Sequence, residues 1–342
     1  MAVLRENINE FEIFETVGVG TAGTVYRAKD TRSGNEVALK ILLPAASENS
    51  LISARFEREM LILEKLIHPN IVRYFGGGKT GKQLFFAMEL IGGGSLKELM
   101  THGGPLSWQE AASCGIQLCS ALQHAHNHGV IHRDLKPANL YFSFDGTLKL
   151  GDFGIARDLF EEDITEAGLT VGTYAYMSPE QIRGEESISG KTDLYALGCV
   201  LFEMLTSRRP FEGNNFQEFF AQHLNESPPR IHEIIPDIPH ELDTIIAQLL
   251  EKDPEKRPFN AREVQGKLLN LATEPPIKQN APRLNDQDVG AANVRDAGQS
   301  ALAHRITLFK EGIIRHDVSW TSLAILFASL LILILLAAWL TN

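Results

Sequence analysis

From Val318 to Asn342 the chain runs for 25 positions without a charged residue, and between Val318 and Leu340 its only hydroxyl side chains are Ser319, Thr321, Ser322 and Ser329. A core helix of that length keeps a polar stripe where it meets solvent. About 20 unbroken apolar residues instead match the hydrocarbon thickness of a bilayer. Residues 318–340 therefore read as one C-terminal transmembrane helix in contact with a lipid bilayer. Trp320 and Trp339 stand 19 residues apart, about 28 Å along a helix, which would place both indoles at the two interfaces. Arg305, Lys310 and Arg315 precede the stretch and only Thr341 and Asn342 follow it. Positive charge on the leading side places residues before the span in the cytoplasm.

What comes before the span must then fold in water. A hydrophobic content of 44% over 342 residues is ample for a packed core. The formal net charge of -11, with no long basic run, argues against nucleic acid as a partner. Cys114, Cys119 and Cys199 are odd in number and form no CxxC, so they read as reduced, buried thiols of a cytosolic protein. The opening MAVLRENINEFEIFE carries four Glu and no apolar run, unlike a secretory signal. Residues 272–317 are rich in Pro, Asn, Gln, Asp and Ala and read as a flexible juxtamembrane linker. Within it, LAHRITLFKEGIIRH from 302 reads equally as a short interfacial helix.

HAHNHGVIHRD (124–134) gathers four histidines and an aspartate. His124 and His128 have the i, i+4 spacing of helical zinc ligands, but no Glu follows His124 in the HExxH manner. They read better as helix-end and loop residues. GVGTAGTV (18–25) fits GxGxxGxV. A dinucleotide fold would start a helix at the third glycine, whereas TVYRAKD runs through a turn, TRSGNE, into the β-rich VALKIL. No Gly-Lys-Ser/Thr follows, so a P-loop is excluded. The result is a hairpin with a glycine loop, whose backbone can close over phosphates without Cβ clashes. Downstream, Phe56, Met60, Leu63 and Leu66 recur at helical spacing, with Glu59 among them. A carboxylate beside an apolar face needs a cationic partner, and Lys40 in VALK is the candidate.

Three further stretches follow in order: HRDLKPAN (132–139), DFG (152–154) and GTYAYMSPE (172–180). With the glycine loop and VALK, this series resembles the eukaryotic-type (Hanks-type) Ser/Thr protein kinases, in particular their membrane-bound bacterial members, from about Phe11 to Leu271. The resemblance implies an α+β, two-lobed protein-kinase fold over 11–271, with a β-rich N-lobe and a helical C-lobe. Linker 272–317 and transmembrane helix 318–340 would follow, in a bacterial inner membrane.

The resemblance also implies the chemistry. ATP would bind with Mg²⁺ or Mn²⁺. Gly18, Val19, Gly20, Thr21, Ala22 and Gly23 would cover the phosphates, and Val25 and Ala38 would cover adenine. Met88 would be the gatekeeper, with the backbone of Glu89 and Ile91 facing the base. Lys40, paired to Glu59, would reach the α and β phosphates. Asp134 would take the proton of the substrate hydroxyl, Lys136 would sit near the γ-phosphate, and Asn139 and Asp152 would hold the metal. Tyr141 departs from the family, where a smaller aliphatic residue usually lies under adenine. Lys136 with Thr173 points to Ser/Thr hydroxyls of protein substrates. Asp193 would brace the catalytic loop, and Glu180 would pair with Arg257. Arg133 suggests an activation segment held by phosphate on Thr165 or Thr170, added between two copies in a transient dimer; Thr173 would instead contact Asp134 and Lys136. The competing readings are a membrane-anchored pseudokinase scaffold and a small-molecule kinase.

Overall fold

Asp30 closes the turn of a long hairpin in the N-terminal sheet. Its carboxylate accepts the Arg32 N–H (3.0 Å) and the Ser33 hydroxyl (2.9 Å), and Gly34 takes φ 76°, which costs a glycine little. The strands on either side are β2 (Gly23–Asp30) and β3 (Glu36–Leu42). A computed structural model of the chain describes residues 7–20, 23–43, 56, 60–81, 83–153, 174–185, 188–213, 215–271 and 294–312. Within these, β1 (Phe11–Gly20), β4 (Tyr74–Thr80) and β5 (Gln83–Met88) complete an antiparallel sheet of order β1-β2-β3-β5-β4. Register puts Lys40 opposite Val25 on one side and Phe86 on the other. The lysine thus stands mid-strand on a rigid element. Phe56 and residues 60–63 are helical, as their spacing predicts, and Phe56, Met60 and Leu63 are buried; Leu66, expected on the same face, is buried too but lies past the helix end, after a turn at 64–65.

The second lobe is helical. α1 (Leu96–Gly103) and α2 (Trp108–Asn127) both start on a Ser-x-x-Glu capping box, from Ser95 to Glu98 and from Ser107 to Glu110, each satisfying two end amides. α2 is buried nearly all round, as a helix central to a core must be. A two-stranded ribbon, β6 (Leu140–Phe142) and β7 (Leu148–Leu150), lies against it. The short α3 (Pro179–Ile182) follows, and then α4 (Gly190–Thr206), which with α2 forms the centre of the lobe. Tyr195 and Phe202 of α4 are fully buried, each contributing about 2 kcal/mol by leaving water. α5 (Phe216–Asn225), α6 (Ile231–Ile234), α7 (His240–Leu249) and α8 (Ala261–Asn270) close the outer side. Cys114, Cys119 and Cys199 are free and buried, and burial pushes their thiols well up.

Expectation and structure part over 294–312, the portion of the expected linker 272–317 that lies within the described residues, where only the alternative of a helix from 302 is partly met. Val294–Lys310 is a 17-residue helix, α9, packed on α2 and α1. Its buried residues Val294, Gly298, Leu302 and Ile306 recur every four positions. That single narrow stripe is diluted among polar residues, so composition alone reads as linker. The apolar face of α9 is spent on the helical lobe rather than on a bilayer surface. Among the described residues no helix is long and apolar enough to cross a membrane, and the expected span 318–340 lies outside them.

Candidate active site

Between the lobes lies a cleft of about 360 Å³. Gly18 and Val25 from the glycine hairpin, Ala38 from β3, Met88, Glu89 and Ile91 from the inter-lobe crossing, and Tyr141 and Asp152 below all line it. Val19 and Gly20 end β1, with Val19 exposed, and Gly23 starts β2. A Cβ at Gly23 would run into the Ile41 carbonyl, so the hairpin can pack on β3 only with glycine there. Thr21, Ala22 and Glu59 lie outside the described residues, as do Gly154 and Thr173.

The floor of the cleft carries an ion pair. Lys40 Nζ stands 2.6 Å from Asp152 Oδ1, and the Tyr141 hydroxyl donates to Asp152 Oδ2 at 3.2 Å. Burial pushes the Asp152 carboxyl up, but the Lys40 charge and the hydrogen bonds from Lys40 and Tyr141 outweigh it and hold the pKa below the ordinary range. Burial, with the neighbouring Asp152 charge, raises Tyr141. Tyr141 therefore stays a neutral donor, and its departure from the family pattern has a local use in fixing the carboxylate. Asp152 itself takes φ 49°, an uncommon conformation for a side-chain-bearing residue.

A second polar cluster stands on the loop between α2 and β6, whose Ala138 lines the same cleft. Asp134 Oδ2 is 2.7 Å from Lys136 Nζ. The Asn139 amide donates to the Asp134 carbonyl (2.8 Å) and carboxylate (3.2 Å), while its own backbone carbonyl accepts the Gly151 N–H at 2.9 Å. Since the Asn139 nitrogen is committed, its side-chain oxygen is the atom left to face a cation. A carboxylate oxygen from Asp152 and an amide oxygen from Asn139 are hard donors, the kind Mg²⁺ takes alongside phosphates and water. The residues fit that ion.

The loop is held from behind. Asp193 at the start of α4 accepts the backbone N–H of His132 and of Arg133, both at 2.9 Å, and faces His126 Nε2 at 2.8 Å. Burial pushes the Asp193 carboxyl up, but these partners, His126 foremost, hold it low. The fully buried His132 ring contacts the Gly151 carbonyl (2.9 Å) and packs at a tilt against Phe153 with centroids 4.8 Å apart. Gln181 of α3 donates to the Arg133 carbonyl at 2.9 Å. Deeper still, Arg257 pairs in bidentate fashion with Glu180, at 2.7 and 2.9 Å. Both bracing contacts expected from the sequence are present.

Other lining residues escaped the sequence reading. Val72 lines the cleft because its N–H bonds to the Leu150 carbonyl (2.9 Å), a contact between lobes. Ser95 and Glu98 could have been found from the Ser-x-x-Glu capping pattern. Lys310, at the far end of α9, also lines the cleft, and nothing local in the sequence signals it.

Residues 11–267 match the family model described as a protein kinase domain. The chain is 36% identical over 257 residues to a probable serine/threonine-protein kinase PknB of Lactococcus lactis, covering 75% of this chain and 41% of that protein. It is 37% identical over 266 residues to the serine/threonine-protein kinase PrkC of Bacillus subtilis, covering 78% of this chain and 41% of that one. The chain thus spans about two-fifths of the length of these curated relatives. Among solved structures, Rad53 residues 1–466 in complex with AMP-PNP superposes with a TM-score of 0.64 at 29% identity, over 75% of this chain and 64% of that one.

Proposed function

The chain belongs to the protein kinase family, and from that premise we propose that it transfers the γ-phosphoryl group of ATP to Ser or Thr hydroxyls of proteins. The observation that carries this reading is that two polar clusters meet beside one cleft through Gly151, which lines the cleft next to Asp152 and whose N–H bonds the Asn139 carbonyl. Lys40 and Asp152 form one, and Asp134, Lys136 and Asn139 the other. Adenine lies against Glu89–Ile91 under Val25 and Ala38. Lys40 orients the α and β phosphates, and Asn139 and Asp152 would hold Mg²⁺, which would supply charge to neutralise the phosphates. Asp134 orients the substrate Oγ–H and accepts its proton as oxygen bonds to the γ-phosphorus and the bond to the ADP oxygen breaks. Lys136 stabilises charge on the transferred group. Rate enhancement comes from positioning and fixed charge.

We further place the chain at the cytoplasmic face of a membrane, held by 318–340, a reading supported by the uncharged run there. ATP-dependent labelling of a generic basic protein tests the chemistry. Lys40→Met and Asp134→Asn should each lose about a hundredfold or more in rate while remaining folded, because each removes a group used in the transition state. Wild-type turnover in either variant rejects the assignment, and a wild type that binds ATP without labelling anything supports the pseudokinase scaffold instead.

A further inference from the structure

α9 reaches the helical lobe more than twenty residues after α8 ends, yet it docks there in detail. Glycines allow the approach on both sides: a Cβ at Gly298 would run into the Gln109 carbonyl of α2, and one at Gly146 would run into the Gln299 carbonyl of α9. Leu302 and Ile306 are fully buried. Arg305 forms a two-pronged pair with Glu110 (2.9 and 3.2 Å) and donates to the Gly103 carbonyl at 2.9 Å. The Ser113 hydroxyl donates to the Arg295 carbonyl (2.9 Å), and the Gln299 amide donates to the Thr147 hydroxyl (3.1 Å). Glu110 is a buried carboxylate that also caps α2, so without Arg305 it would lack its counterion.

The direction of the helix gives this docking its consequence. Running along α2 and α1, α9 ends at the cleft. The Phe309 ring packs at a tilt against His102, centroids 5.1 Å apart. A Cβ built on Gly94 would lie 3.2 Å from Phe309, 3.7 Å from Lys310 Nζ and 3.1 Å from Glu98 Oε2. Lys310 lines the mouth of the cleft together with Gly94, Ser95 and Glu98.

We infer that α9 is the outer wall of the nucleotide site and that Lys310 is a nucleotide-binding residue, its ammonium attracting the polyanionic ATP at the cleft mouth. This rests on the ATP-binding reading above and adds to it a residue outside the kinase motifs. Lys310 thereby sets a cation beside the capping carboxylate of Glu98 at the edge of the site. Coupling between sites is reciprocal, so a nucleotide that gains from docked α9 must in turn hold α9 in place. The stretch 318–340 starts eight residues after Lys310, at most about 28 Å of extended chain.

The test uses the full-length protein in detergent micelles, reading the Kd for Mg-ATP, the KM for ATP and amide exchange across α9. Lys310→Glu should raise Kd and KM about fivefold at low salt, with the smaller effect on kcat, and the difference should shrink at high salt. Lys310→Arg should restore binding. Lys256→Glu, an equally exposed reversal far from the cleft, should leave Kd unchanged. Gly298→Leu, which undocks the helix, should weaken ATP binding in the same direction and speed exchange over 294–310. Saturating Mg-ATP should slow that exchange in the wild type. A Lys310→Glu protein that binds ATP like the wild type overturns the inference while leaving the kinase reading intact, and so does exchange in α9 indifferent to nucleotide. A wild type that binds no nucleotide overturns both. Should Gly298→Leu fail to fold, Lys310→Glu still decides.

Discussion

Asp193 holds Arg133 by its backbone. The carboxylate Oδ1 accepts the Arg133 N–H at 2.9 Å while that residue sits at φ 63°, a strained conformation for anything but glycine. The neighbouring Oδ2 takes the His132 N–H, so two consecutive amides are pinned by one buried side chain and Asp134 is aimed by its predecessors. Asp193→Asn replaces one acceptor by a donor facing an N–H. It should lower kcat by about ten- to a hundredfold through misplacement of Asp134, and should cost about 1–3 kcal/mol of stability. ATP affinity should stay near wild type. Steady-state kinetics beside urea unfolding separates the two effects, and an unchanged kcat would show that the brace is only structural.

The Glu180–Arg257 pair links pH to stability. Burial pushes the Glu180 carboxyl up, but the Arg257 hydrogen bonds and charge outweigh it, and the pKa lies below the ordinary glutamate value. A depressed folded pKa means stability that is present above the unfolded value and lost as pH falls through the folded one. Unfolding free energy should therefore drop as pH falls below about 4.5. In Glu180→Gln that drop should be shallower. Glu180→Ala, which strands a buried guanidinium, should cost about 3–5 kcal/mol at pH 7. Denaturant midpoints for the three proteins between pH 7 and pH 3 provide the check.

Deleting residues 318–342 should release an active kinase from membranes, since every residue placed in the site precedes them. Membrane fractionation of both chains, with activity in each fraction, measures this. A truncated chain that still pellets after a high-salt wash places the anchor elsewhere.

Thr165 and Thr170, in DITEAGLTVG, lie outside the described residues. A phosphate adds nearly two negative charges and about one to three charge-assisted hydrogen bonds. Confinement to a surface raises the concentration of one copy around another. Autophosphorylation at either threonine should raise activity, with Arg133 as a phosphate partner. Mass spectrometry before and after phosphatase treatment, with activity of Thr165→Ala/Thr170→Ala, tests this. An unmodified enzyme of full activity would assign Arg133 another role.

The kinase body was legible because its determinants are local or of fixed spacing. The turn from Asp30 to Asn35 fixes the hairpin that joins β2, which starts at Gly23, to the Lys40 strand β3. HRDLKPAN keeps Asp134, Lys136 and Asn139 within six residues, and burial of Tyr195 and Phe202 follows from an apolar α4. Even Glu180 and Arg257, 77 residues apart, could be matched through their motifs.

Three things were decided only by the tertiary structure. Tyr141 marked a departure in the sequence, but its bond to Asp152 needed the β6–β7 ribbon to bring strand and loop together. Val72 became part of the cleft through one backbone bond between lobes. α9 is the largest case. One buried residue in four is too thin a pattern to distinguish a docked helix from a linker, and its partners, Glu110, Ser113 and Gly146, lie about 150 to 200 positions earlier. Spacing along a chain encodes faces of single elements. Which face meets which is settled by packing and by burial of charge, and that is where Lys310 meets the mouth of the ATP cleft.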